Sequence, residues 1–206
     1  MEQEKNNDTS HDMGFKIYCS FGNGHRLTKN PKYREIMIQS ARTLITRFNP
    51  KVGCIPYHVE VWDFPVIIDN MMNLELLFWA FKETKDSFFY KVAVSHANTT
   101  MKNHFRPDFS SYHVIAYNPK TGKVVKKNTH QGYNDASSWA RGQAWGLYAY
   151  TMCYRETGDK KYLQQAEKIG NFILNNSSMP KDLVPYWDYN APKIPFEPRV
   201  VSAAIP

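Results

Sequence analysis

The chain has 206 residues, of which 42% are hydrophobic and 15% aromatic, so it carries enough apolar material for one globular core of ordinary size. Its formal net charge is +7, but the cations are dispersed, whereas a nucleic-acid-binding surface would need a basic stripe with interleaved aromatic residues. The three cysteines are odd in number and widely spaced, which excludes a disulfide framework and a zinc site of ordinary spacing.

The N-terminal segment is polar and has no apolar signal core. No apolar run approaches the length of a membrane span, so we expect a soluble protein. The high aromatic content suits a packed helical interior, and it also suits a pocket that stacks on ring-shaped ligands.

The first predicted element is a helical hairpin. Residues 15–21 are apolar almost all round, which is typical of a buried helix. After a turn that contains Thr28, apolar side chains recur at Tyr33, Met37 and Ala41, which predicts an amphipathic outer helix with one buried stripe.

The same pattern returns twice further along the chain. Residues 74–81 and 145–154 are predicted inner helices, and each precedes a turn with a threonine and an amphipathic outer helix. The threonines and apolar stripes are Thr84 with Phe89/Ala93/Ala97, and Thr157 with Tyr162/Ala166/Gly170. The residues placed to cap the three outer helices are Asn30, Asp86 and Asp159. Repeated hairpins with an apolar inner layer predict a solenoid or a closed two-layer α/α toroid.

Long links join each outer helix to the next inner helix, at about residues 49–66, 105–137 and 177–201. Links of this length in a compact fold are usually functional. The middle link contains a predicted β-hairpin, with strands at residues 112–117 and 123–126. Because every link enters the N-terminus of an inner helix, we expect all three at one rim, where helix N–H groups favour a carboxylate-bearing ligand.

Counting back from the threonines places three charged residues at matched points of the repeat. Asp12 lies 16 residues before Thr28, Asp69 lies 15 before Thr84, and Arg141 lies 16 before Thr157. The sequence therefore predicts a site in which two carboxylates and one guanidinium come from successive inner helices.

Asp69 is the sharpest candidate for acid–base chemistry. It interrupts an otherwise strongly apolar stretch, residues 64–78, and burial there would raise the pKa of a carboxyl toward the range of a general acid. The alternative is an N-cap of the inner helix. Asp12 has the same alternative, since it precedes an apolar run as capping residues do. Two carboxylates at one rim are what acid–base chemistry on a sugar would need.

Candidate binding residues precede or begin the third inner helix. Arg141 and Trp145 are four residues apart and share a helix face, which would place a cation beside a stacking surface; the alternative is an ordinary buried Trp with Arg reaching solvent. His130 and Gln131 in the long link are candidate polar contacts, and His113 on the β-hairpin is either a contact or a structural histidine. Weaker rim candidates are Trp62 and Trp187.

Other chemistries find little support in the sequence. Gly22 and Gly24 lack the Lys-Ser/Thr pair and the preceding strand of a phosphate-binding loop. The sequence has no Gly-x-Ser-x-Gly elbow and no His-Glu-x-x-His pair. The scattered histidines do not have the spacing of metal ligands.

Five collinear motifs resemble the unsaturated glucuronyl hydrolases, glycoside hydrolase family 88, over residues 10–199. They are His11-Asp-Met-Gly-Phe15, Ile68-Asp-Asn-Met-Met-Asn73, Thr129-His-Gln-Gly-Tyr133, Trp139-Ala-Arg-Gly-Gln-Ala-Trp145 and Val184-Pro-Tyr-Trp-Asp-Tyr189. The resemblance implies an all-α fold, an (α/α)6 toroid built of helical hairpins. It also implies a glycosidase that removes a 4,5-unsaturated uronic acid from the non-reducing end of oligosaccharides released by polysaccharide lyases.

The resemblance implies a role for each matching residue. Asp69 would protonate C4 of the vinyl ether and then, as a carboxylate, help water add at C5, while Asp12 would assist electrostatically. Substrate contacts would come from the remaining matched polar and aromatic residues: His11, His113, His130, Gln131, Arg141 and Trp145. The implied partner is an anionic unsaturated oligosaccharide, with no metal, organic cofactor, nucleic acid or membrane.

Only three of the six hairpins of such a toroid can be counted, in a single domain over residues 1–206. We therefore expect a fragment truncated at both ends, with a further inner helix beginning near residue 200, and the compartment stays open between cytoplasm and periplasm. Two alternatives remain: a non-catalytic carbohydrate-binding remnant, and a hydrolase of unsaturated galacturonyl products.

Overall fold

The computed structural model describes residues 2–57 and 63–199. Trp62 and the predicted inner helix near residue 200 lie outside these ranges. The chain divides into two compact units. The first consists of Met1–Val66, Asn70–Thr99 and Asn118–Lys123, and the second of Ile67–Asp69, Thr100–Tyr117 and Val124–Pro206.

The first unit contains two of the three predicted hairpins. After a 3-10 helix at Glu2–Asn6, the chain forms α1 (Met13–Ile17), a π-helical segment (Tyr18–Gly22), α2 (Asn23–Thr28) and α3 (Pro31–Ile45). The second hairpin follows a 3-10 helix (Ile68–Asn73) and consists of α4 (Leu74–Thr84) and α5 (Ser87–Asn103), whose last turn belongs to the second unit. Helix α1 packs against both α3 and α4, with Met13, Ile17 and Met37 in the core.

The second unit contains a small sheet and the third hairpin. Ile67, the last residue of β1 (Pro65–Ile67), belongs here with β2 (Val114–Tyr117) and β3 (Val124–Asn128), and the strands form one sheet in the order β1–β2–β3. Strands β2 and β3 pair antiparallel, which confirms the predicted β-hairpin. Helix α6 (Ala140–Thr157) packs against α7 (Lys160–Asn175), and Tyr150 stacks on Tyr162 in the core.

The three hairpin turns have the same local geometry. In each, the threonine Oγ1 donates a 2.7 Å hydrogen bond to the carbonyl four residues earlier and accepts one from the N–H two residues later. The next residue closes the helix in the left-handed region: Lys29 at φ 56°, Lys85 at 61° and Gly158 at 72°. The side chains of Asn30, Asp86 and Asp159 then cap α3, α5 and α7. The predicted repeat and its three caps are confirmed.

The first inner segment differs from the prediction of a buried, apolar helix. It is broken into α1, the π-helical segment and α2, and Cys19 is exposed, whereas Ile17 is fully buried. The apolar pattern located the segment correctly. It could not show which of its side chains are buried, because that depends on the neighbouring helices. By contrast, five of the eight residues of the predicted inner helix at 74–81 are buried: Leu74, Leu76, Leu77, Phe78 and Ala80.

Within residues 2–57 and 63–199, none of the helices combines the length and the hydrophobicity that crossing a bilayer would require.

Candidate functional site

The first unit holds two of the candidate residues side by side. Nε2 of His11 lies 3.2 Å from Oδ1 of Asp12, and both side chains are 30% exposed. Asp12 occupies the N-cap position of α1, but its side chain makes no capping hydrogen bond. The capping alternative therefore does not account for this carboxylate.

The segment with His11 and Asp12 is fixed by neighbours within the first unit. The amide of Asn73 donates to the carbonyl of His11 at 2.6 Å and accepts from the N–H of Gly14 at 2.8 Å. Gly14 is required there, since an added Cβ would lie 2.5 Å from the Cα of Asn73. The ring of His11 meets the ring of Tyr57 edge-on at 4.3 Å, and burial is the main cause that lowers the pKa of His11.

The second unit brings Asp69 next to His113. Oδ2 of Asp69 lies 3.6 Å from Nε2 of His113, a distance just beyond that of a hydrogen bond. The backbone places them together, because the N–H of Ile68 donates to the carbonyl of His113 at 3.0 Å. The Asp69 side chain is 17% exposed and that of His113 is 2% exposed. The N-cap position of α4 belongs to Asn73, so Asp69 does not have the alternative role of capping that helix.

His113 is a neutral imidazole with a defined tautomer. Its Nδ1 accepts hydrogen bonds from the backbone N–H groups of His130 at 3.1 Å and Gln131 at 3.3 Å. Burial, with the positive charge of Arg141 and two nearby histidines as smaller causes, lowers the pKa of His113 to about 3. Because Nδ1 is an acceptor and the ring is neutral, the proton resides on Nε2, the nitrogen that faces Asp69.

Arg141 joins this group through Gln131 and Trp139. Its Nη2 donates to Oε1 of Gln131, and its guanidinium carbon lies 4.3 Å from the centre of the Trp139 ring. His113 also packs against this tryptophan, with its ring centre 4.5 Å from that of Trp139. His130, in the same link, meets the His113 ring edge-on at 5.8 Å. The second unit therefore assembles a carboxylate, a neutral imidazole, an amide and a cation.

The guanidinium of Arg141 packs against the ring of Trp139, a contact that the sequence analysis did not predict. Arg141 is the second residue of α6, and Trp139 is the N-cap residue just before the helix, in an extended conformation. Helical spacing correctly placed Trp145 on α6, where it is half-buried. The pattern missed Trp139, because a residue outside the helix does not follow helical periodicity.

Two further residues of the second unit were missed as well. Arg106 donates to the backbone carbonyls of Asp135 and Ser137, and Asp188 accepts hydrogen bonds from Tyr133 and Ser137. Both interactions join residues far apart in sequence, so no local spacing could have revealed them. The Trp-Asp pair at Trp187 and Asp188 was the only local signal.

Among the residues that the structure describes, no group of three or more His, Cys, Asp or Glu side chains is arranged to hold a metal ion.

Comparison with known proteins identifies relatives over nearly the whole chain. The unsaturated glucuronyl hydrolase of Formosa agariphila is 54% identical over 208 residues, which cover 99% of this chain and 52% of that protein. A crystal structure of an unsaturated glucuronyl hydrolase specific for heparin superposes with a TM-score of 0.94 at 49% identity, over 96% of this chain and 54% of that one.

A third comparison concerns a variant of the unsaturated glucuronyl hydrolase of Streptococcus agalactiae, solved in complex with dGlcA-GalNAc6S. It has a TM-score of 0.75 and 34% identity, and the alignment covers 94% of this chain and 46% of that one. None of the protein-family models compared with the chain matches it. The chain spans about half the length of the curated relatives that it matches.

These likenesses confirm the predicted fold class, an all-α, partial (α/α)6 toroid built of helical hairpins with a small β-hairpin in one link. They extend through the segments that hold Asp12, Asp69, His113 and Arg141. By sequence identity and by fold, the chain is therefore similar to about half of the length of the unsaturated glucuronyl hydrolases.

Proposed function

We propose that the chain carries the catalytic acid of a glycosidase that removes a 4,5-unsaturated uronic acid from the non-reducing end of oligosaccharides. One observation carries the proposal: the carboxyl of Asp69 lies 3.6 Å from Nε2 of a buried, neutral His113. A neutral imidazole adds no positive charge, so it does not favour the ionised carboxyl as a neighbouring cation would. His113 therefore does not hold Asp69 in its ionised form by charge, which is compatible with a carboxyl that must donate a proton.

The reaction is a hydration of the vinyl ether. Protonated Asp69 gives its proton to C4, and the electrons of the C4–C5 double bond form the new C–H bond, which leaves a cation at C5 stabilised by the ring oxygen. The Asp69 carboxylate then accepts a proton from a water molecule as the water oxygen bonds to C5. The resulting hemiketal collapses, the sugar opens to a keto acid, and the rest of the oligosaccharide leaves.

Arg141 is our candidate for binding the carboxylate of the unsaturated sugar. The guanidinium is held from two sides, by Oε1 of Gln131 and by the face of Trp139. A guanidinium has five N–H donors, so donors remain for a carboxylate ligand. His130 and Trp145 are the further candidates for sugar contacts in the second unit.

We propose the electrostatic role for Asp12 and a substrate contact for His11. Their support is the observation that the Asp12 carboxylate lies beside His11 and makes no capping hydrogen bond to α1. We further propose that residues 1–206 act within one catalytic domain.

The substrate class is an anionic, lyase-derived oligosaccharide. One relative is described as specific for heparin, and another was solved with dGlcA-GalNAc6S, so the matching test panel contains unsaturated disaccharides from heparin and from chondroitin. An unsaturated galacturonyl disaccharide belongs in the panel as the competing substrate.

The test measures loss of the conjugated alkene absorbance when the chain is incubated with each disaccharide. We expect Asp69→Asn to lower kcat by at least about 100-fold, because an amide cannot transfer the proton. Glu167→Gln, which neutralises an exposed carboxylate on the outer helix α7, is the matched control and should leave turnover unchanged. Turnover that survives Asp69→Asn would contradict the mechanism, and binding without turnover would favour the carbohydrate-binding alternative.

A further inference from the structure

Asp188 is a fully buried carboxylate with a complete set of hydrogen bonds. Its Oδ2 accepts from the backbone N–H of Tyr133 at 2.9 Å and from the hydroxyl of Ser137 at 2.7 Å, and its Oδ1 accepts from the N–H of Asn190 at 2.8 Å. A buried charge persists only where such donors replace water. Two of the three donors belong to the link at residues 129–137, which we call the 129–137 loop.

The 129–137 loop is the part of the second unit that contacts His113 through its backbone. The N–H groups of His130 and Gln131 both point at Nδ1 of His113, at 3.1 and 3.3 Å. Gly132 follows directly, and an added Cβ there would lie 2.7 Å from Oγ1 of Thr129 and 3.1 Å from Oδ2 of Asp188. The loop therefore lies directly against the Asp188 carboxylate, with no room for a side chain between them.

Asp188 also connects to Trp139, whose ring packs against that of His113. Its backbone forms an antiparallel bridge with Trp139, whose ring centre lies 4.5 Å from that of His113. One residue thus contacts the loop through its side chain and the N-terminus of α6 through its backbone.

Arg106 holds the far end of the 129–137 loop independently of Asp188. Its Nη2 donates to the carbonyls of Asp135 at 3.1 Å and Ser137 at 3.0 Å. Loss of the Asp188 carboxylate would therefore leave the loop attached at this end, while the end that carries His130 and Gln131 would lose its anchor at Tyr133.

We propose that Asp188 is a positioning residue: by holding the 129–137 loop, it keeps two backbone N–H groups on Nδ1 of His113 and so directs the Nε2 proton toward Asp69. The inference rests on the proposed function only in the role of Asp69. The positioning itself is a property of the folded chain. Without these two N–H donors, nothing keeps the imidazole proton on Nε2, and the orientation of the ring toward Asp69 is no longer fixed.

The experiment uses the full chain with 15N-labelled histidine, and it measures the chemical shifts of the two ring nitrogens of His113 by NMR. His113→Gln identifies the resonances. Wild type should show one bare nitrogen, Nδ1, and one protonated nitrogen, Nε2, with well-separated shifts. In Asp188→Ala both donors of the loop, the N–H of Tyr133 and the hydroxyl of Ser137, lose their acceptor, and the two shifts should converge as the tautomers mix.

Asp182→Ala is the matched control, since Asp182 is an exposed carboxylate of the same C-terminal segment that pairs with Arg199. It should leave the His113 nitrogens unchanged. If Asp188→Ala is folded and the His113 nitrogens keep their wild-type shifts, the proposal is overturned. If Asp188→Ala does not fold, Ser137→Ala decides, because it removes one of the two loop donors to Oδ2 and keeps the carboxylate. The two shifts should then move part of the way toward each other, and unchanged shifts overturn the proposal as well.

The activity readout separates this proposal from the proposed function. With an unsaturated disaccharide, Asp188→Ala should lower kcat/KM by about 10-fold to 100-fold, as expected when a reacting group is misplaced. If wild type turns over no such substrate, the proposed function fails. The nitrogen shifts still test the positioning by Asp188, because they do not depend on turnover.

Discussion

At the scale of single residues, the state of His113 decides how Asp69 can act. Burial disfavours the imidazolium, so the pKa of His113 lies at about 3, below the ordinary value of 6.5. The two backbone N–H groups on Nδ1 act in the same direction, because a protonated Nδ1 could not accept them. His113 therefore presents an uncharged Nε2–H to Asp69 at 3.6 Å and is not a counter-ion.

A pH titration of the His113 ring checks this state directly. We expect its NMR resonances to stay those of the neutral form from pH 8 down to about pH 4, and to change only as the pH approaches 3. Any loss of activity between pH 7 and pH 4 would then have a cause other than protonation of His113. A titration midpoint near 6.5 would contradict the burial argument.

At the scale of elements, two glycines with nearly the same φ angle distinguish backbone strain from a steric clash. Gly122 in the turn after β2 has φ 70°, and an added Cβ would lie 2.1 Å from the carbonyl oxygen of Lys51. Gly158 in the α6–α7 turn has φ 72°, and an added Cβ would meet no heavy atom within 4 Å. Both positions carry the left-handed strain, but only Gly122 carries a clash with the backbone.

We expect Gly158→Ala to lower the free energy of unfolding by about 1 to 2 kcal/mol, the cost of the left-handed conformation alone. Gly122→Ala should cost clearly more, above about 3 kcal/mol, because the Lys51 carbonyl must also move. Urea unfolding of the two variants measures both values. Equal losses in the free energy of unfolding would show that the backbone near Lys51 moves aside at no energetic cost.

Many features of the helices, turns and strands were predictable from the local sequence. The threonine turns, the caps at Asn30, Asp86 and Asp159, and the β-hairpin all depend on residues within a few positions of one another. The break in the first inner segment was not predictable, because it depends on which neighbours cover α1 and α2. Lys29 and Lys85 adopt the same left-handed conformation as Gly158, which only the repeat itself could indicate.

At the scale of the whole molecule, the charged candidate residues could be named from the sequence, whereas the contacts that support them could not. The repeat register and the family resemblance both selected Asp12, Asp69 and Arg141. The supporting contacts of Arg106 and the fully buried Asp188 involve residues that are distant in sequence, and so does the contact of Trp139 with His113. Contacts of this kind leave no periodic pattern, so they emerge only with the fold.

Buried histidines in both units link the stability of the molecule to pH. His96 in the first unit is fully buried, its Nδ1 accepts the N–H of Ile55 at 3.1 Å, and burial lowers its pKa to about 3, as for His113 in the second unit. The unfolded chain takes up these protons near pH 6.5, whereas the folded chain does so only near pH 3. The stability that these two neutral histidines contribute is therefore fully present above about pH 6.5, and it is lost as the pH falls from 6.5 toward 3.

We expect each of these histidines to add a slope of about 1.4 kcal/mol per pH unit to the free energy of unfolding between pH 6 and pH 4. His96→Asn isolates one of them, because the amide oxygen of Asn can accept the Ile55 N–H but does not titrate. The variant should be less stable than wild type at pH 7, since a smaller side chain leaves a void, yet its stability should fall less steeply with acid. Urea unfolding at pH 7, 6, 5 and 4 measures both slopes, and parallel slopes for wild type and variant would show that His96 is not a source of the acid sensitivity.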